Sequence, residues 1–232
     1  ETGEALEETP LKGDALSGAP THEQVAEAVL SSLAVPISEM NGQQRFHKVL
    51  SLWPYIIPLF LVYAAEYICQ AGTWTAIGFP VTDVISRNHA YQISNACYQT
   101  GVLISRSSGH WFTVDLKWLW ILPMIQVVNL GFFTVAASHA PAYGADATWY
   151  YNEAIVYSLA IFTGLLGGAV YVHGYQRITK DVSPRDHCEF ALSAVSVAEG
   201  LGVAVADILS LWWQACLYKA NNLPSSVVTC PF

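Results

Sequence analysis

Charge is scarce in this chain. Only 12% of its 232 residues are Asp, Glu, Lys or Arg, against about a quarter in an ordinary globular domain, while 53% are hydrophobic. A soluble fold of this length could not clothe its surface with so little charge, so the composition describes a polytopic membrane protein. Basic residues are few and scattered, which excludes a nucleic-acid footprint. The five cysteines (Cys69, Cys97, Cys188, Cys216 and Cys230) are odd in number and form no CxxC. That argues against a disulfide framework and against a zinc site. The seven histidines are dispersed, with no HExxH or HxxxH pair, and neither GxSxG nor a P-loop occurs. No enzyme, no metal and no cofactor are expected. Asn-x-Ser/Thr sequons are absent, so no lumenal loop is marked by glycosylation. The chain begins at Glu1 without a signal peptide, and its first apolar run comes after about fifty residues. It therefore reads as the C-terminal portion of a longer protein; a complete five-helix protein that dimerises is a further reading.

The net charge of -8 is unevenly spread. Residues 1–50 hold eight acids and three bases. The stretch 1–45, rich in Glu, Ala, Gly, Pro and Ser, reads as a flexible acidic cytosolic tail or central loop, with a short candidate helix at His22–Leu33. Residues 46–218 carry the apolar runs, and 219–232 form a polar tail with Pro224 and Pro231. Five spans are expected, at about Leu50–Phe79, His89–Ser105, Trp118–Ser138, Glu153–Tyr175 and Phe190–Tyr218. Pro54 and Pro58 should kink the first near its start.

Five alternating crossings sort the basic residues. Arg45, Lys48, Arg106, Lys117, Arg177, Lys180 and Arg185 share one side; Arg87 and Lys219 take the other. The excess marks the first side as cytosolic and puts the C-terminus opposite, unless a sixth, re-entrant segment reverses it. Trp53, Trp74, Trp118, Trp149, Trp212 and Trp213 fall near segment ends, where interfacial aromatics belong.

Small residues recur every four positions in the last span, at Ala194, Ala198, Gly202, Ala206 and Ser210, and Gly164 and Gly168 make a GxxxG in the fourth. Both patterns let a neighbouring helix approach closely. Ionisable groups at bilayer depth are expensive and face the bundle or a wet cavity. Glu66 lies mid-segment, with Gln70 one turn on and Tyr63 one turn before, on one face. Glu199 and Asp207 share a broad side of the last span, about 80° apart. Each acid either lines a substrate or proton path or sits as a protonated carboxyl bonded to a neighbouring helix. Asn95, Gln99, Gln126 and Asn129 read as interhelical hydrogen bonders, and His173 as an interface histidine. Arg106, flanked by Ser105 and Ser107, closes the second span. It either snorkels to headgroups or phosphate, or braces the water-facing side of a transporter.

Tyr98-Gln99-Thr100-Gly101-Val102 through Ser105-Arg106-Ser107-Ser108 resembles the YQxGVxxSRSS motif of the CLN3 (battenin, Btn1) family. Trp53–Leu59 with Val62–Tyr67, the run Gly164-Leu165-Leu166-Gly167-Gly168, and Asp186–Ala191 resemble three further motifs of that family in order, so the resemblance covers about residues 46–218. It implies a lysosomal or vacuolar membrane protein with a major-facilitator-like fold. This chain would supply the C-terminal bundle, working against an N-terminal bundle beyond it. The implied partners are the bilayer, a small-molecule solute and protons; the implied roles are lysosomal pH homeostasis and export of basic amino acids or glycerophosphodiesters. Two positions depart from the family: Thr163 stands where Glu commonly precedes Gly-Leu-Leu-Gly-Gly, and Cys230, third from the end, makes no prenylation box. The expectation is thus an all-α integral membrane bundle of about five helices. Tyr63, Glu66, Gln70, Glu199 and Asp207 are its path residues, Ser105, Arg106 and Ser107 its cytosolic brace, and Gly164, Gly168, Ala198 and Gly202 its packing contacts. The rival is a non-transporting scaffold for trafficking or fusion factors.

Overall fold

A chain this apolar must satisfy its backbone hydrogen bonds within helices once it enters lipid. The structure, a computed structural model, describes residues 35–138, 150–224 and 228–231, and its regular elements are all helical among these. The acidic stretch up to residue 34, with the candidate helix His22–Leu33, lies outside the described residues, as do the Pro141–Trp149 loop and its tryptophan. From Pro36 onward the chain makes one compact unit.

Helix α1 (Gly42–Ser51) opens on a capping box: the Asn41 side chain accepts from the Gln44 amide at 2.8 Å and the Gln44 side chain accepts from the Asn41 amide at 2.9 Å. It runs across the expected boundary at residue 45. Helix α2 (Trp53–Tyr67) follows after a break at Leu52. Pro54 lies in its first turn, where a missing N–H is harmless, and only Pro58 is interior. The single first span is therefore two helices. The second continues through a π-helical turn at Ile68–Thr73 and a 3-10 turn at Trp74–Ala76. Helix α3 (Val84–Ser107) is capped by Asp83, and α4 spans Leu116–Ser138. Helices α5 (Glu153–Asp181) and α6 (Arg185–Ala220) extend beyond their apolar runs. Ion pairs one turn apart, Arg177–Asp181 at 2.6 Å and Arg185–Glu189 at 2.9 Å, support those extensions.

Four segments are long and apolar enough to cross a membrane: Trp53–Ala76, α4, α5 and α6. Helix α3 is long enough but too polar to join them. The reason is a seam of Asn88, Gln92, Asn95, Gln99 and Arg106 along one side. It packs most extensively against α5, while α2 lies against α6, α4 and α5.

Small residues permit both close pairings. A Cβ on Gly101 would collide with the Ile161 carbonyl, and one on Gly164 with the Tyr98 carbonyl. The Ser105 hydroxyl donates to the Gly164 carbonyl at 3.1 Å, clasping α3 to α5. On α6, Ala198, Gly202, Ala206 and Ser210 are buried, and Gly202 faces the backbone of Phe60 and the side chain of Tyr63.

Two expectations are corrected. Trp74 is not interfacial: it is fully buried, packed edge-on against Tyr98 and Phe133 with ring centroids 6.1 and 5.7 Å away. The 3-10 turn folds it back into the bundle, whereas Trp53, Trp118, Trp212 and Trp213 remain exposed. The argument against disulfides also fails at one pair, because Cys216 and Cys230 are joined. The tail after α6 turns back at Asn222, which has a positive φ of 53°, and brings Cys230 alongside the helix. Spacing in sequence carries no sign of that reversal.

The α3 cap gives a pH test at a group ahead of the helix. Asp83 accepts from the Ser86 hydroxyl at 2.7 Å, the Ser86 amide at 2.9 Å and the Ile85 amide at 3.3 Å. The Ser86 bonds foremost hold its carboxyl below the usual carboxylate range. A folded pKa lowered in this way adds stability above the unfolded pKa, and that stability is lost only as pH falls through the folded value. Asp83→Ala should therefore lower the melting temperature equally at pH 7 and about pH 5. A deficit that fades by pH 5 would contradict the ionised cap.

Candidate functional site

Glu66 sits two residues before the π-helical turn, on the face of α2 that meets α3 and α5. It is 1% exposed. The Tyr98 hydroxyl of α3 donates to its Oε1, and its Oε2 has no hydrogen-bond partner among the described residues. Room for the carboxyl comes from Gly167 on α5, where a Cβ would run into Glu66. Burying a carboxyl with one oxygen unpaired is costly and calls for a stated reason. Gln70, a turn further on, brings its side chain towards Tyr98 and leaves its own buried Nε2 without a partner among the described residues.

A second group assembles towards the Arg106 end of the same helices. The Arg106 guanidinium lies over the Tyr171 ring, 4.3 Å from its centroid, and its Nη2 donates to the Tyr63 hydroxyl at 3.4 Å. Tyr171 leans on Tyr175, with centroids 4.7 Å apart, and the Tyr175 hydroxyl donates to Glu199 Oε2 at 3.1 Å. Glu199 also faces the buried Tyr63 hydroxyl, and the charges of Arg106 and Glu199 are both felt at Glu66. Four helices thus contribute to one cluster: Tyr63 and Glu66 from α2, Tyr98 and Arg106 from α3, Tyr171 and Tyr175 from α5, and Glu199 from α6. It holds two carboxyls and one guanidinium, linked by tyrosine hydroxyls that can donate or accept. Such a cluster can move a proton between groups at different depths, or hold a ligand carrying charge.

The remaining expected residues fall elsewhere. Asp207 is exposed on α6, two turns beyond Glu199. The serines beside Arg106 divide: Ser105 is buried at the Gly164 carbonyl, whereas Ser107 is exposed and donates to the Leu103 carbonyl at 2.8 Å. Ser108 binds His173 Nε2 at 3.1 Å, with Phe112 stacked on the imidazole at 5.1 Å and Gln176 at its Nδ1. His173 is therefore fully occupied in holding the end of α3 to α5. Asn129 donates to the Thr163 hydroxyl at 2.9 Å, so the threonine before Gly-Leu-Leu-Gly-Gly closes an α4–α5 bond. Sequence reasoning missed Tyr98, Gly167, Tyr171 and Tyr175. The middle glycine of Gly-Leu-Leu-Gly-Gly, not part of the GxxxG pair, was the available sign of Gly167. The 171/175 spacing was the sign of the tyrosine pair. Among the described residues no group of His, Cys, Asp and Glu is arranged to hold a metal ion.

Comparison with known proteins bears on this cluster. The family profile described as CLN3 protein matches residues 6–220. Battenin of Canis lupus familiaris is 34% identical over 178 residues, which is 75% of this chain and 37% of that protein. Protein BTN1 of Kluyveromyces lactis is 31% identical over 212 residues, covering 84% of this chain and 51% of the relative. Protein BTN1 of Saccharomyces cerevisiae is 35% identical over 201 residues, 82% and 45% of the two chains. The chain thus spans about half or less of the length of these curated relatives. No solved structure matches it.

Proposed function

This chain belongs to the CLN3 protein family, a multi-pass membrane protein by its helices, and on that premise we propose that it is part of a proton-linked secondary transporter. The observation that carries the reading is the buried carboxyl of Glu66, which a purely structural helix would do better without. A charged residue at bilayer depth costs about 2.5–3.5 kcal/mol on insertion scales. Here Gly167 gives up its side chain to admit Glu66, and Tyr98 donates to it. Through Tyr63 and the Arg106 charge the carboxyl is coupled to Glu199 nearer the cytosolic mouth. Protonation at Glu66 changes the charge of the cluster, and with it the balance between arrangements of the four helices. Rocking against an N-terminal bundle, as in major-facilitator-like folds, would then expose the cluster to each side in turn. The chain's place is a lysosomal or vacuolar membrane, where a pH difference drives the cycle and export of small solutes, basic amino acids or glycerophosphodiesters, contributes to pH homeostasis.

The test is solute flux in proteoliposomes containing the full-length protein. Glu66→Gln keeps the shape and the bond to Tyr98 but cannot titrate. It should fold, reach the membrane and lose the pH dependence of transport. Wild-type flux with an unchanged pH profile would reduce Glu66 to a packing residue and favour the scaffold reading, in which no solute moves.

A further inference from the structure

None of the residues of α1 is buried, and its Phe46 and Leu50 are 60% and 51% exposed. We propose that α1 is a membrane-surface anchor. It lies in the interface at the Arg106 end of the bundle, with its apolar face among acyl chains and its basic residues over an anionic leaflet. The inference needs a membrane and does not rest on the transport reading.

Four observations converge. First, the helix is two-faced. At 3.6 residues per turn Phe46, Val49 and Leu50 share an arc of about 100°, and Gln44, His47, Lys48 and Ser51 fall outside it. Ten residues make about 15 Å of helix, too short to cross a hydrocarbon layer of about 30 Å. An apolar arc on so short a helix suits the plane of the interface. Second, α1 is continuous with a membrane segment. Only Leu52, with a ψ of 7°, separates it from the span Trp53–Ala76. Trp53 is exposed and set edge-on to Trp120 with ring centroids 5.6 Å apart, and Trp118 is exposed on the same helix as Trp120. Tryptophans so placed mark the headgroup level, and a one-residue link leaves α1 at that level. Third, its charge is of one sign. No acid lies between residues 40 and 65. Arg45 and Lys48 make no ion pair among the described residues, and Arg45 has one long bond, 3.4 Å, to the Ser38 carbonyl. An anionic leaflet offers an apolar layer and negative charge side by side, which is what this helix presents the complement of. Fourth, the chain ahead of α1 is tied down. The Ile37 amide donates to Asp186 Oδ2 at 3.0 Å, in the first turn of α6. Helix α1 therefore bridges the starts of α2 and α6, the helices that carry Glu66 and Glu199, and its hold on the membrane fixes where those starts sit.

Amide hydrogen exchange of the purified full-length protein, one copy per nanodisc, tests the anchor. The discs are phosphatidylcholine alone or phosphatidylcholine mixed with phosphatidylserine. Residues 45–51 should exchange about tenfold more slowly in the phosphatidylserine disc at low salt, and the difference should shrink at high salt. Arg45→Gln and Lys48→Gln should each weaken the slowing by about fivefold. Phe46→Gln and Leu50→Gln should each speed exchange in both discs, since the apolar arc acts in either lipid. None of these four side chains is buried, so the melting temperature of the bundle should not move, and His47→Gln on the polar face should match wild type. Slow exchange that is the same in both discs and untouched by Phe46→Gln would mean that another part of the chain covers α1. Fast exchange in both discs would mean that α1 stands in water or awaits a protein partner or second copy. Either result overturns the proposal.

Discussion

Gly167→Ala should disable the protein although it adds a single methyl group. The new Cβ would occupy the position of the Glu66 carboxyl, which is enclosed and held by Tyr98. Glu66 can yield only by swinging off the tyrosine or by pushing α2 away from α5. Overpacking of this kind costs about 1–3 kcal/mol. Flux should fall with it, because the carboxyl leaves the position from which it is coupled to Arg106 and Glu199. A double-mutant cycle with Glu66→Ala distinguishes this from general damage. Removing the carboxyl should return most of the lost stability to the Gly167→Ala protein while leaving pH-dependent flux absent. Strictly additive losses, or a Gly167→Ala protein with the stability and flux of wild type, would show that Gly167 does not make room for Glu66.

Gly164→Val should be more damaging still, and for a different reason. The atom its Cβ would strike is the main-chain carbonyl of Tyr98, with the Val102 amide close behind. A side chain can rotate out of the way, but a helix backbone cannot. The α3–α5 pair must separate, and Gly101, set against the Ile161 carbonyl, loses its seat in the same movement. The expected loss lies at or above the upper end of the ~1–3 kcal/mol overpacking range. Tyr98 is carried on the displaced helix, so Glu66 should lose its bond as well. Gly131→Val on α4 is the matched control, since a Cβ there meets nothing within 4 Å; its effect should stay within about 0.5 kcal/mol. Equal melting temperatures for the two variants would remove close helix approach as the role of the GxxxG pair.

How much of this was legible depended on whether the signal was local. Apolar runs placed the helices because lipid burial leaves a long composition signature, and fourfold spacing showed which side of α6 is narrow. The polar ends of α5 and α6 escaped because hydropathy does not register ion pairs such as Arg177–Asp181, which prolong a helix in water. The π-helical turn escaped because one inserted residue leaves no mark in composition, and the 3-10 turn that follows it and buries Trp74 is as silent. Glu66 stood out as a lone charge in an apolar run. Its setting did not, since Tyr98, Gly167 and Arg106 reach it from helices far apart in sequence, and only their packing joins them. Asp207 was paired with Glu199 on spacing alone. The structure separates them because the cluster takes only Glu199 from α6, while Asp207, about 80° further round the helix, is exposed.

The bond between Cys216 and Cys230 also reports on compartments. Disulfides persist where the surroundings are oxidising and are reduced where glutathione and thioredoxin act. Helix α6 has 36 residues, about 54 Å of helix at 1.5 Å per residue, ample for a hydrocarbon layer of about 30 Å. Crossing such a layer would put its two ends in different redox environments: the end with the disulfide would face the oxidising one, and the end that begins at Arg185 the reducing one. Lysine and arginine counts assign the same two sides from membrane insertion, an unrelated chemistry, so thiol chemistry gives an orientation that does not depend on charge.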